Sequence, residues 1–281
     1  MKIATTRAEL QTFLRKARTR KASVGFVPTM GFLHRGHARL IRQARRENDV
    51  VVVSVFVNPL QFGPSEDYAC YPRDCVRDRA ICARSGASVL FWPKESAFLS
   101  RARVKQIRVT EFRNTLCAPF RPGHFDGVAT IVLHFFELIR PDRAYFGLKD
   151  YQQYRVIEWL NQTHLGGRIR LCGVDTVRGK SGLALSSRNR YLTKAGKRLA
   201  PMLYRALQAA CRRLRAGAAP SAAVRDSVGR LERSGFSVQY FEVADALTMK
   251  PSRRARRGSG GRIVAAAVFL GETRLIDNVL V

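Results

Sequence analysis

Runs of consecutive apolar residues alternate with segments of helical period through the first part of the chain. Val24 to Val27 reads as a buried strand. Pro28 and Gly31 break the run, and from about Arg35 the residues Ala38, Leu40, Ile41 and Ala44 recur on one face of a helix. Asp49 to Val57 is apolar without alternation and reads as a strand buried on both faces. Strand, helix and buried strand form a βαβ unit, the opening of a doubly wound parallel sheet. Before this unit, Leu10, Phe13 and Leu14 predict a helix over Arg7 to Ala17. After it the pattern predicts a helix at Cys75 to Ser85, a strand at Ser88 to Trp92 and a long apolar helix at Val128 to Ile139. A strand at Ala144 to Phe146 with a turn from Gly147, a helix at Tyr154 to Leu160 and a strand at Ile169 to Gly173 follow. Ser100 to Thr110 shows no clear period. Beyond Thr193 one or two amphipathic helices are expected between Ala195 and Ser234, then strands at Val238 to Val243, Ile263 to Leu270 and Leu275 to Val281. The fold class is α/β: a Rossmann-like parallel-sheet domain over residues 1–176 and a smaller α+β domain over residues 177–281.

Composition narrows this picture. With 281 residues and 46% hydrophobic content, the chain can bury a sizeable core and is not disordered. Its formal charge of +29, from 50 Lys and Arg against 21 Asp and Glu, would attract nucleic acid, anionic membrane or a polyanionic small molecule such as ATP. The arginines are spread along the whole chain, which equally fits a general compositional bias. Only Pro251 to Gly261, with Arg253, Arg254, Arg256 and Arg257, concentrates them; it reads as a polyanion patch or as a solvated hairpin loop. The six cysteines form no C-x-x-C pair and no disulfide ladder, as expected of reduced thiols in a cytoplasmic protein. Met1 to Lys21 lacks the apolar core of a signal peptide, and no run is long enough to span a membrane.

The chemistry concentrates where strands end. His34 and His37, with Gly36 between them, lie three apart at the start of the helix after the first strand of the βαβ unit, so both imidazoles can face one point. Helix N-termini attract anions through N–H groups and dipole, and imidazoles there can donate to phosphate oxygens as charge builds on them. Two ordinary surface histidines are the plain alternative. Asn58, Pro59, Gln61 and Phe62 follow the second strand, where amides suit a small hydroxy acid or simply punctuate a loop. Lys149, Asp150 and Gln153 follow the Ala144 to Phe146 strand. Lys149 can meet a phosphate, Asp150 can accept from a ribose or orient Lys149, and Gln153 can bind substrate. Ser186, Ser187 and Arg188 offer two hydroxyls and a guanidinium to phosphate. Asp78 is either a magnesium contact or an ion-pair partner.

The stretch Pro-Thr-Met-Gly-Phe-Leu-His-Arg-Gly-His, residues 28–37, resembles the HxGH element of the nucleotidyltransferase superfamily in the version found in the pantothenate synthetase (pantoate:β-alanine ligase) family. The similarity runs to Thr273-Arg274-Leu275-Ile276-Asp277-Asn278, and the Ser186 to Arg188 segment resembles the mobile KMSKS loop of class I aminoacyl-tRNA synthetases. The resemblance implies a nucleotide- and pantoate-binding Rossmann-like domain, a C-terminal lid beginning with the Ser-Ser-Arg loop, and a homodimer. It implies ATP and magnesium as cofactors and pantoate and β-alanine as partners, with no specific nucleic acid and no membrane. It assigns catalysis to His34, His37, Lys149, Ser186, Ser187 and Arg188. ATP would meet Met30, Gly36, His37, Gly147, Lys149, Asp150, Val177, Leu185, Ser186 and Arg188. Pantoate would meet Met30, Asn58, Gln61, Arg121 and Gln153.

Several positions depart from that family's pattern. Cys117-Ala118 stands for a common Glu-Gly, Asp175 for Pro and His134 for Lys. Arg178-Gly179-Lys180-Ser181-Gly182 stands for Arg-Glu-x-Asp-Gly, so two acids are absent at the entrance to the Ser-Ser-Arg loop. A catalytically weakened homologue, another HxGH nucleotidyltransferase and a nucleic-acid-binding protein are the rival readings. The last lacks any recognisable binding motif.

Overall fold

A computed structural model describes residues 1–64, 66–100, 104–252 and 261–281. The arginines at 253, 254, 256 and 257, singled out above, lie outside the described residues. The chain divides into two compact units. Unit 1 comprises Met1–Val109, Pro122–Leu148 and Gln153–Asp175; unit 2 comprises Thr110–Arg121, Lys149–Gln152 and Thr176–Val281.

Unit 1 opens with β1 (Lys2–Ala4), which the hydrophobic pattern is too short to announce, and α1 (Arg7–Thr19), started by a Thr6/Glu9 capping box. Then follow β2 (Val24–Thr29), α2 (Arg35–Glu47), β3 (Val50–Val55), α3 (Cys75–Ser85), β4 (Val89–Phe91) and the short α4 (Glu95–Phe98). The unit continues with α5 (His124–Ile139), β5 (Arg143–Gly147), α6 (Tyr151–Leu165), whose first two residues fall in unit 2, and β6 (Arg170–Val174). The six strands form one sheet in the order β1-β4-β3-β2-β5-β6, every pairing parallel. This is the doubly wound arrangement expected, with the order reversing on either side of β2, the position at which such sheets bind ligands.

Pro28 falls inside β2, a central strand, where a missing N–H would normally break a ladder. It is tolerated because pairing with β5 ends at Phe26 and Ala144, two residues earlier, while Pro28 continues in register with Ser54 of β3. Helix α5 is buried on nearly every face, as its continuous hydrophobicity requires, and begins at His124, before the expected Val128. Phe26, Phe91, Phe98 and Phe135 interlock, with ring centroids 4.8 to 6.3 Å apart.

Unit 2 contains α7 (Lys194–Leu199), α8 (Met202–Arg215), α9 (Pro220–Arg233) and the antiparallel sheet β7 (Ser237–Asp245), β8 (Arg262–Leu270), β9 (Thr273–Leu280). The region expected to hold one or two helices thus holds three, because Pro201 ends α7 and serves as the N-cap of α8. Leu203, Leu207, Leu214 and Leu231 of the helices pack on Phe241, Val264 and Val268 of the sheet. Among the described residues no helix is long and apolar enough to cross a membrane, and none of the cysteines forms a disulfide.

Candidate active site

In unit 1 the turn between β2 and α2 is held by contacts within the protein itself. Gly31 has φ +84°, and a Cβ there would lie 2.9 Å from Asp78 Oδ2 and 3.0 Å from Val55. Phe32, at φ +48°, is held in the left-handed region without glycine's freedom, a strained conformation that persists because its surroundings over-determine it. Those surroundings are specific. The Phe32 and Leu33 amides donate to the two oxygens of Asp78, at 2.9 and 2.6 Å, and Arg77 Nε donates to the Leu33 carbonyl at 3.0 Å. Gly31 N–H donates to Thr29 Oγ1, which in turn donates to Ser54 O. Asp78, considered from sequence as a metal contact or ion-pair partner, therefore buttresses the turn. Burial pushes its carboxyl above the usual range, outweighing the two amide bonds that act the other way.

The two histidines cap α2. His34 Nδ1 accepts the Gly36 N–H at 3.1 Å, and His37 Nδ1 accepts the His34 N–H at 3.2 Å. The ring centroids lie 4.1 Å apart. A neutral imidazole that accepts at Nδ1 carries its proton on Nε2, so this reciprocal capping sets both rings as Nε2–H donors. The sequence placed the histidines together at the helix start; that they are themselves the caps, fixing the tautomer, was not legible in it.

Beyond β3, Asn58 is buried and its amide is engaged within the protein. Its Oδ1 accepts from Leu60 N–H, and its Nδ2 donates to Gln61 Oε1 at 3.0 Å and to the Gly127 carbonyl at 3.1 Å. Gln61 Nε2 reaches Met30 Sδ at 3.2 Å, and the Gln61 carbonyl accepts from His124 Nδ1 at 2.8 Å. This approach of the Asn58 to Gln61 turn to α5 requires Gly127, where a Cβ would fall 2.0 Å from the Leu60 carbonyl oxygen. Met30, Asn58 and Gln61 are thus brought into one contact chain. A cavity of about 130 Å³ adjoins it, lined by Met30, Gly31 and Asp78 with Arg73, Trp92 and Glu95. Gln153 is half-buried in the first turn of α6.

Unit 2 carries the remaining candidates. Lys149 and Asp150 lie on a single 3-10 turn, Leu148–Asp150, that directly follows β5, with Lys149 Nζ 3.7 Å from Asp150 Oδ1. Gly147 is the last residue of β5. Val177 and Leu185 are ends of a small hairpin: Leu185 N–H donates to Val177 O, Gly179 N–H to Leu183 O, and Arg178 bridges Ala184. The hairpin leads into Ser186, which caps a 3-10 helix over Ser187–Tyr191 and accepts from Arg188 N–H. The expected Ser-Ser-Arg loop is therefore a capped turn of helix, with Ser187 buried. Arg121 is half-buried after the turn Ala118–Phe120.

Two departures from the family pattern acquire a structural setting. Cys117 Sγ accepts from Arg274 Nη2 at 3.6 Å, and the Cys117 N–H donates to Gln152 Oε1, whose amide donates to the Thr115 carbonyl. Gln152, adjacent to the predicted Gln153, is the buried member of that pair and was missed from sequence. In unit 1, His134 Nε2 accepts from Arg7 at 2.9 Å. Burial and the Arg7 charge lower its pKa to about 4, so it is a neutral acceptor.

A doubly wound parallel sheet whose crossover begins with an HxGH cap, accompanied by a unit built on an antiparallel sheet, defines a Rossmann-like α/β protein of the HxGH class. The family model described as pantoate-beta-alanine ligase matches residues 2–280. The chain is 43% identical to the pantothenate synthetase of Moorella thermoacetica, over 100% of this chain and 98% of the relative, and 42% identical to that of Bacillus velezensis, over 100% and 97%. A crystal structure of pantothenate synthetase from Thermus thermophilus superimposes with a TM-score of 0.91 at 42% identity, covering 99% of each chain. The pantoate-beta-alanine ligase of Francisella tularensis, complexed with beta-gamma ATP and beta-alanine, superimposes with a TM-score of 0.83 at 33% identity, covering 100% of this chain and 97% of that one. The chain belongs to the pantoate-beta-alanine ligase family. It is a ligase.

Proposed function

We propose that the chain joins pantoate to β-alanine at the expense of ATP. A pantoate carboxylate oxygen attacks the α-phosphorus, the bond to the β-phosphate breaks, and pyrophosphate leaves. The β-alanine nitrogen then attacks the acyl carbon of pantoyl adenylate and AMP departs. An ordinary carboxyl pKa is roughly 4, so the first attack needs no general base. What the protein supplies is position and charge stabilisation.

The observation that carries this reading is the reciprocal histidine cap, which supports His34 and His37 as Nε2–H donors to phosphate oxygens in the transition state, at the helix start that includes Gly36. Met30 and Gln61, already in contact, hold pantoate together with Gln153 and Arg121, and Asn58 keeps Gln61 oriented. Lys149, steadied by Asp150, meets the nucleotide phosphates. Gly147, Val177 and Leu185 contribute backbone to the ATP site. Ser186, Ser187 and Arg188 neutralise the departing pyrophosphate.

Among the described residues no three His, Cys, Asp or Glu side chains cluster to hold a metal ion. The donor set does not form a protein cage for magnesium, which commonly binds through substrate phosphates and waters; an ion here would enter on the nucleotide. A homodimer in the cytoplasm completes the reading, as family membership implies. The test is multiple-turnover AMP release from ATP. It should require both pantoate and β-alanine, and release independent of pantoate would contradict the reading.

A further inference from the structure

The closing strand carries a feature that the reaction as described does not use. In β9, Asp277 is buried and takes Arg178 in a two-pronged pair, Nη1 to Oδ2 at 2.5 Å and Nη2 to Oδ1 at 2.9 Å. Arg178 also donates to the Gly182 carbonyl at 3.2 Å, and its guanidinium carbon lies 3.5 Å from the Tyr204 ring centroid. It is therefore locked on several sides at the base of the hairpin that feeds Ser186. The next residue, Asn278, donates from Nδ2 to the backbone carbonyl of Lys149 at 2.8 Å, while its N–H donates to Asp277 Oδ1 at 2.8 Å. Successive residues of a strand point to opposite faces. One dipeptide can thus reach two segments remote in sequence, and its own register is fixed by pairing of Asp277 with Ala266 and Asn278 with Ala265 of β8.

We propose that Asp277 and Asn278 are positioning residues that fix the Lys149 turn and the Ser186 to Arg188 segment to one strand, setting the spacing between the two groups that meet the ATP phosphates. A buried ion pair is weak evidence for stability, because a hydrophobic replacement of similar volume often does as well; what the fork and the amide supply is directional geometry. Small displacements of positioning groups cost rate steeply. The inference rests on the assignment of Lys149 and Ser186 to Arg188 to ATP.

The experiment places Asn278→Ala and Asn278→Ser in the wild-type and Lys149→Ala backgrounds and measures KM and kcat for ATP and for pantoate. In the wild-type background each should lower kcat/KM for ATP by about ten- to a hundredfold, with KM for pantoate unchanged. In the Lys149→Ala background the same changes should have little further effect, since the group being positioned is gone. Arg178→Lys, which keeps the charge but loses the fork, should also act on ATP rather than pantoate. Equal losses in both backgrounds, or losses shared by pantoate, contradict the brace while leaving the function intact. A Lys149→Ala enzyme with wild-type ATP kinetics overturns the assignment of Lys149, and the brace with it.

Discussion

The HxGH turn and the Ser-Ser-Arg hairpin are both assigned to phosphate, yet they are held by opposite means. Around His34 and His37 the rings themselves are fixed by contacts short in sequence, each capping an amide two or three residues away, while Asp78 on the neighbouring helix, 45 to 46 residues on, holds the preceding two amides. The hairpin before Ser186 is fastened instead through Arg178 to Asp277, 99 residues on. A turn that carries its own caps announces itself as a motif. A hairpin fastened by a distant strand leaves only scattered residues in the sequence.

Breaking the distant fastening should therefore cost stability as well as ATP kinetics, and breaking the local caps mainly rate. Arg178→Ala leaves the Asp277 carboxylate buried without its fork, and should lower unfolding free energy by about 3–5 kcal/mol in denaturant titration. His37→Ala removes a transition-state donor and should lower kcat by about 10²-fold or more, with His34→Ala acting in the same direction. Its stability loss should stay near the ordinary cost of a lost cap, about 1 kcal/mol. Near-normal turnover in a folded His37→Ala enzyme would erase the contrast.

Acid should sharpen it further. His134 stays neutral in the fold down to about pH 4, against an ordinary value of 6.5. Between these values the unfolded chain binds a proton that the folded chain does not, so this group's contribution to stability falls as pH drops through that window. His134→Phe should flatten the corresponding part of the stability profile, measured by thermal melts from pH 7 to pH 4. An unchanged slope would show that other groups set it.

The smallest effect is expected where acids of the family pattern are absent. Gly179 does not have a positive φ, and a Cβ there would meet nothing nearer than the Leu183 carbonyl at 3.9 Å, so Glu fits the backbone. Gly179→Glu with Ser181→Asp should change stability by no more than about 0.5 kcal/mol. It should raise turnover modestly or tighten ATP binding. Equal or lower activity would show that this chain has adapted to their absence.

What the sequence revealed follows the same division. The parallel strands, the helices between them and the antiparallel strands near the end were legible because burial imposes a period on contiguous residues. The strand Lys2–Ala4 was not, since three residues carry no pattern. Nor was the work of Asp78, Asn58 or Gln152, because a side chain spent on a remote backbone amide or carbonyl leaves no spacing to read. The Arg178 pair with Asp277 and the Asn278 bond to Lys149 became visible only once the fold had brought their partners together.

The central claim is that the HxGH turn, with the Met30 and Gln61 contact beside it, carries a complete first half-reaction. The most direct measurement is exchange of labelled pyrophosphate into ATP with pantoate and magnesium present and β-alanine absent. Exchange should proceed in the wild type, be nearly abolished by His37→Ala at saturating pantoate, and in Gln61→Ala be recoverable by raising pantoate. Exchange that strictly requires β-alanine, or that runs without pantoate, would contradict the account.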